Sequence, residues 1–253
     1  MNWLFLKGVA RGQIHWHSQL DAFREQLPAA RIHCLDLPGV GQAATRRTPI
    51  SVSRTVEDLR SRWVKMREES AGEWCVMGIS LGGMITIEWL HRHPGDFQAG
   101  VAIVPSAGNV SPPWRRLVPS ALPGYIKSLA ARDVEVREQL ILTTIVNDIE
   151  RRQALVKENV ATAHQCPLPT SATLRQLLAA SLWSAPKELQ APLLFLGSEG
   201  DRMVHPSCTR RLAARFGAPV RMNDWAGHEI PMDDPGWVAA ETRDWFASLD
   251  VPS

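Results

Sequence analysis

The stretch that most limits what this chain can fold into is Trp74-Cys75-Val76-Met77-Gly78-Ile79-Ser80-Leu81-Gly82-Gly83-Met84. An apolar run of strand length passes into Gly78-x-Ser80-x-Gly82. Apolar residues at Met84, Ile85, Ile87, Trp89 and Leu90 then follow at helical spacing until Pro94. Such a pattern asks for a sharp strand-to-helix turn with the Ser80 hydroxyl at its tip, in strained backbone. Neighbouring elements come so close there that side chains at 78 and 82 would collide, hence glycine at both. The helix that follows aims its free N–H groups and positive dipole end at the hydroxyl. A bare GxSxG arises by chance; strand before and helix after are what make it informative. The competing reading is a tight turn in which Ser80 only caps the helix.

Around this stretch, short apolar runs alternate with longer amphipathic segments, the pattern of a parallel sheet covered by helices. Strands are expected at Trp3–Leu6, Arg31–Leu35, Trp74–Gly78, Gly100–Val104, Pro192–Leu196 and Pro219–Met222. Helical faces are legible at Leu20, Phe23 and Leu27. A second face runs through Val56, Leu59, Trp63 and Met66 behind a cap at Ser53. A last helix starts at Asp234-Pro235 and buries Val238, Trp245 and Phe246. The alternation breaks once, between about 110 and 187, where only helical stretches occur after a Pro-rich opening. The clearest, Thr170 to Ser184, is expected to bury Leu174, Leu177, Leu178 and Leu182. The expected organisation is therefore an α/β core of 1–109 and 188–253, with 110–187 inserted as a helical lid.

Composition excludes several classes. The 253 residues carry 28 Lys and Arg against 26 Asp and Glu, a formal charge of +2. So small an excess gives no reason to expect nucleic acid or an anionic membrane as partner. No apolar run approaches the roughly 18 residues of a membrane span, and the first residues do not read as a signal peptide. Cys34, Cys75, Cys166 and Cys208 form no CxxC pair and read as reduced packing residues of a cytoplasmic protein.

Further motifs then join the first. Asp36-Leu37-Pro38-Gly39-Val40-Gly41 follows the second strand, Gly197-Ser198-Glu199-Gly200-Asp201-Arg202 follows the fifth, and Ala226-Gly227-His228 follows the sixth. Together with the turn at Ser80 they resemble the α/β-hydrolase superfamily, in particular its small lid-bearing serine esterases, over nearly the whole chain. The resemblance implies the α/β-hydrolase fold, a mostly parallel sheet of about six strands with helices on both faces, starting without the family's usual two preceding strands. It also implies a triad of Ser80, Asp201 and His228 in the family's order. In that reading His228 takes the proton of Ser80 during attack and returns it to the leaving group, and Asp201 holds the other ring nitrogen. Glu199 and Asp224 are rival acids. Oxyanion donors fall by resemblance on the backbone N–H groups of Val9 and Leu81, with Ala10 in reserve, each worth about 3 kcal/mol.

Lys7 departs from the family, whose members commonly place His before this glycine; it reads as solvent-facing. The second strand becomes a sheet edge, through which the protein, a monomer or a homodimer, would pair with a copy of itself. Pocket walls are expected from Trp16, Trp114, Tyr125, Leu140, Ile141 and Trp183. Three patterns are set aside. Gly39-x-Gly41-x-x-Ala44 lacks the helix that would hold a pyrophosphate. His91-x-His93 with Asp96 ends a helix, and His15-x-His17 reads as surface. The expectation is a serine hydrolase acting on a small-molecule carboxylic ester through an acyl-enzyme, with no cofactor and no metal. Thioesterase, amidase or perhydrolase action is the alternative, and then a carbon–carbon hydrolase or lyase or a non-catalytic receptor.

Overall fold

Parallel strands buried on both faces explain the short, continuous apolar runs. In the computed structural model, which describes residues 1–16, 19–165 and 169–249, six strands form one sheet. They are β1 (Asn2–Leu6), β2 (Arg31–Cys34), β3 (Trp74–Ile79), β4 (Ala99–Ile103), β5 (Leu193–Ser198) and β6 (Val220–Asn223), in the order β2-β1-β3-β4-β5-β6. Every pairing is parallel. The helices α1 (Gln19–Gln26), α2 (Val52–Glu69) and α3 (Leu81–Arg92) connect the first four strands. Between β4 and β5 come α4 (Pro113–Arg116), α5 (Leu122–Ala130), α6 (Val134–Ile145), α7 (Ile149–Thr162) and α8 (Thr170–Leu182), with no strand among the described residues. The chain closes with α9 (Ser207–Phe216), α10 (Ile230–Asp233) and α11 (Pro235–Ala247).

Side chains alternate across the sheet and so divide the core in two. Leu4, Leu6, Val76 and Phe195 pack with Val56, Leu59 and Trp63 of α2 and with Trp89 of α3. Trp3, Phe5, Met77 and Leu196 face the other way, onto Phe23 of α1 and Val238 and Trp245 of α11. Each large apolar side chain so buried contributes about 1.5–3 kcal/mol. A third cluster ties the insertion down: Leu142, Ile145, Leu155 and Val156 close over Met232 of α10.

The chain runs outward from β1 to the edge strand β2, then returns to β3 on the other side of β1. Strand direction reverses its march there, and the loops after β1 and β3 flank one crevice. The register aligns Leu6 with Gly78 and Ile79 with Ile103, so three loops leave the sheet at one level.

Two local expectations are corrected. Ser51, not Ser53, caps α2; its Oγ accepts from the Arg54 amide, and Ser53 lies inside the helix. On α8 three of the four leucines face outward: Leu174, Leu178 and Leu182 are exposed and Leu177 is half-buried, whereas Ala172, Thr173, Gln176 and Ala179 are buried. Small side chains let the helix approach the body closely, and the Gln176 amide finds partners there, which the bulkier leucines would have prevented. The start of α11 is as expected, with Asp234 accepting from the Trp237 amide ahead of Pro235. Cys34, Cys75 and Cys208 are free thiols, and burial pushes the first two up to about 12, so they are protonated and inert. Cys166 and His17 lie outside the described residues. No helix among those residues is long and apolar enough to cross a membrane.

Candidate active site

Ser80 sits between β3 and α3 with φ 54° and ψ −111°, a conformation that side-chain-bearing residues rarely adopt. Its N–H donates to Ile103 O at 2.8 Å and its C=O accepts from Met84 N at 3.0 Å, so the turn is held at both ends. A Cβ on Gly78 would lie 2.1 Å from Gly82 O, and one on Gly82 would lie 2.4 Å from Leu6 O. The two glycines are therefore required by backbone-to-backbone contact. Gly8 closes the other side: a Cβ there would lie 3.3 Å from Ser80 Cβ.

Asp201 and His228 come from the loops after β5 and β6. His228 Nδ1 and Asp201 Oδ2 are 2.8 Å apart, both side chains buried. Asp201 is fixed from behind, its Oδ1 accepting from the amides of Met203 at 2.8 Å and Val204 at 2.9 Å. The rival acids are elsewhere: Glu199 is exposed and pairs with Arg210, and Asp224 is exposed. Burial pulls the His228 pKa down, but Asp201, aided by Glu229, outweighs it and holds the imidazole above its ordinary value. The loop itself is anchored by Gly227 N donating to Asp233 Oδ2 at 2.6 Å and by Glu229 N donating to Ile145 O at 2.9 Å. A Cβ at 227 would meet Ile145 O at 2.4 Å, which accounts for the glycine before His228.

His228 Nε2 is buried and has no hydrogen-bond partner among the described residues. It and Ser80 line one cavity of about 360 Å³. The two groups are thus not hydrogen-bonded to each other in this state; bonds of this kind often tighten only when substrate arrives. Leu81 N–H belongs to the first turn of α3, where helical amides have no partner within the helix. Val9 lines the same cavity. The reserve donor, Ala10, is occupied: its N–H donates to Gln176 Oε1 of α8 at 2.8 Å, and its φ is +57°.

Lys7 is not solvent-facing. It is buried, with Nζ 2.5 Å from Glu229 Oε1, 3.2 Å from Gln19 Oε1 and 4.0 Å from the Trp16 ring centroid. Loss of hydration lowers the lysine's pKa and Glu229 opposes that, which is why an ammonium is tolerated there. Of the expected walls, Tyr125 and Ile141 line the cavity. The other four are placed elsewhere. Trp16 packs under Phe5 in the core and against Lys7. Trp114 is 64% exposed. Leu140, half-buried and one helical position from Ile141, is not among the residues lining the cavity. Trp183 is buried, donating from Nε1 to Glu88 Oε2 at 3.0 Å. The apolar wall comes instead from Met84, Leu117, Ile145 and Leu177.

Five polar lining residues, Arg11, Ser106, Arg116, Ser181 and Glu229, were not anticipated from the sequence. Only Arg11 and Glu229 carried a signal, lying beside the residues expected at the site. Arg11 donates to Glu138 Oε2 of α6 at 2.7 Å, and Asn159 of α7 donates to the same oxygen. The motifs set aside have structural partners: His93 contacts Glu57, and Asp96 accepts from Arg60 and Trp89. Asp36 accepts from the Gln13 and Gln42 amides and so shapes its own loop. No cluster fit to hold a metal occurs among the described residues.

Sheet order, the turn at residue 80 and the loops after β5 and β6 together define the α/β-hydrolase fold. The family described as "Serine aminopeptidase, S33" matches residues 21–234, and the chain belongs to that hydrolase family. Comparison with curated protein sequences gives no match. Solved structures share the fold at low identity. BpoC from Mycobacterium tuberculosis H37Rv, described as a non-heme bromoperoxidase, is 17% identical with a TM-score of 0.76, over 99% of this chain and 93% of that one. A thermophilic esterase from Thermogutta terrifontis is 16% identical with a TM-score of 0.73, over 99% and 91%. An α/β-hydrolase fold protein from Chitinophaga pinensis is 14% identical with a TM-score of 0.74, over 98% and 90%.

Proposed function

We propose that this chain is a serine hydrolase that cleaves a carboxylic ester through an acyl-enzyme. The observation that carries the reading is the His228–Asp201 pair, whose free imidazole nitrogen is buried at the cavity that also holds the Ser80 turn. Ser80 Oγ attacks the carbonyl carbon as His228 Nε2 removes its proton. The tetrahedral oxyanion is met by the Val9 and Leu81 amides, and the proton passes from His228 to the departing alkoxide. Water then repeats the sequence on the acyl-enzyme and releases the acid. Asp201 fixes the ring orientation and stabilises the imidazolium. The helices α4 to α8 serve as the lid that shapes the substrate cavity.

The family's printed description suggests cleavage at a free amino terminus. A substrate ammonium would need an unpaired carboxylate, and the lining carboxylate, Glu229, is already paired with Lys7. That favours an ester over a peptide. Labelling with a fluorophosphonate, together with a chain-length series of nitrophenyl esters, tests the reading. Labelling at Ser80 and ester turnover that vanishes in Ser80→Ala are expected. Absence of labelling would remove the activated serine, and labelling without ester turnover would move the activity to thioesters or amides.

A further inference from the structure

The charges around the cavity balance in pairs, with one exception. Arg11 is matched by Glu138, and Glu229 by Lys7. Arg116, at the end of α4, lines the cavity with no acidic partner among the described residues. Its guanidinium is held by three acceptors, all of them neutral groups. Nη1 donates to Ser181 O at 2.7 Å, Nη2 to Ala180 O at 2.5 Å, and Nε to Ser106 Oγ at 3.4 Å. The first two are carbonyls at the C-terminal end of α8, a place where a cation is favourable and where this one is locked in orientation. A guanidinium has five N–H groups, so two are left. Ser106 is buried and lines the same cavity, and its hydroxyl still has a proton to give. Burial disfavours the charge on Arg116, and no carboxylate is near enough to offset this.

We propose that Arg116 and Ser106 form an anion subsite within the substrate cavity, so that the preferred ester carries a carboxylate or phosphate on its acid or alcohol portion. This rests on the ester-hydrolase reading for the reaction but not for the binding. A fixed, half-buried cation has little ordering entropy left to lose, and an oxyanion entering the cavity would complete its hydrogen bonds with charge-assisted ones. Met84, Leu117, Ile145 and Leu177 supply apolar wall to the same cavity, and the water they exclude strengthens the pairing.

The test compares charged and neutral esters in the same enzyme. The mono-para-nitrophenyl ester of glutarate is set against para-nitrophenyl pentanoate, and para-carboxyphenyl pentanoate against phenyl pentanoate. The ratio of kcat/KM values within each pair does not depend on how much of a variant is folded. In the parent at least one charged ester should lead its neutral partner by about tenfold or more, and Arg116→Gln should abolish that lead. An equal ratio in parent and variant, or neutral preference in both pairs, overturns the subsite. Calorimetry on Ser80→Ala reads binding without turnover, using 3-phenylpropionate against 3-phenylpropan-1-ol. Tighter binding of the acid that is lost in Ser80→Ala/Arg116→Gln supports the subsite, and equal binding of acid and alcohol overturns it. If no ester is hydrolysed and Ser80 does not label, the proposed reaction falls while the calorimetry still decides the subsite.

Discussion

Lys7 Nζ lies 2.5 Å from Glu229 Oε1, and the backbone neighbours of these two residues are Gly8 and His228. One buried ion pair thus clips the loop after β1 to the loop after β6, on opposite sides of Ser80. Lys7→Met would leave Glu229 buried without its partner and should cost about 3–5 kcal/mol of stability, measured by urea unfolding. Lys7→Met/Glu229→Leu removes both charges and should recover much of that loss. A double variant no better than the single one would show that the pair does not act as a unit.

Asp201→Asn should lower turnover by about 10⁴-fold, because the amide cannot stabilise the imidazolium and favours the wrong tautomer. Glu199→Gln and Asp224→Asn, both on the surface, should leave turnover near that of the parent. Steady-state rates on a nitrophenyl ester separate the three, and a large loss in either surface variant would move the role away from Asp201.

His228 must be neutral to accept a proton, and Asp201 holds its pKa above the ordinary 6.5. The acid limb of kcat/KM should therefore have its midpoint above 6.5, with activity rising as pH rises. The same shift acts on stability in the opposite sense. A raised folded pKa adds stability that is full below the unfolded value and disappears as pH climbs through the folded one. Unfolding followed across that window should show this low-pH stabilisation in the parent and not in Asp201→Asn, where burial of the imidazole is no longer outweighed by its carboxylate partner.

Arg11–Glu138 ties the loop after β1 to α6 of the insertion, and the neighbouring Ala10 N–H ties the same loop to Gln176 of α8. Burial would raise the Glu138 pKa, but Arg11 and the Asn159 amide overcome it and hold it below the ordinary 4.5. Its stabilisation is present above 4.5 and is lost as pH falls through the lowered value. Glu138→Ala leaves a buried guanidinium unpaired and should cost about 3 kcal/mol, with faster proteolysis between residues 110 and 187. Unchanged proteolysis would mean that this ion pair does not hold the insertion down.

Gly82→Ala would put a methyl group 2.4 Å from Leu6 O and 2.8 Å from Lys7 O. Backbone oxygens cannot rotate away as a side chain can, so the turn or β1 must shift. A loss of about 1–3 kcal/mol is expected in thermal unfolding, together with loss of fluorophosphonate labelling. Normal labelling would show that the turn at Ser80 tolerates displacement.

Much of this architecture was legible because its causes are local. The strand before Ser80 and the glycines around it follow from backbone limits that a few adjacent residues reveal, whereas the loops bearing Asp201 and His228 stood out by their resemblance to those of the α/β-hydrolase family. Helix faces were less secure. The leucines of α8 read as a buried stripe, yet which face of an amphipathic helix is covered depends on what approaches it, and here the body receives Gln176 and Ala179. Leu140 and Ile141 differ by one position, about a quarter turn, and only the packing of α6 says which one sees the cavity.

The sequence alone determined the doubly covered parallel sheet and the turn that strains Ser80, since periodicity and glycine placement act over neighbours in the chain; the order Ser80, Asp201, His228 came from the resemblance of their loops to those of a family. Tertiary structure decided the charge pairing. Lys7 meets Glu229 across 222 positions and Arg11 meets Glu138 across 127, while Arg116 is left with neutral acceptors. Electrostatic partners are set by distance in space and by exclusion of water, and neither is written in the spacing of residues along the chain.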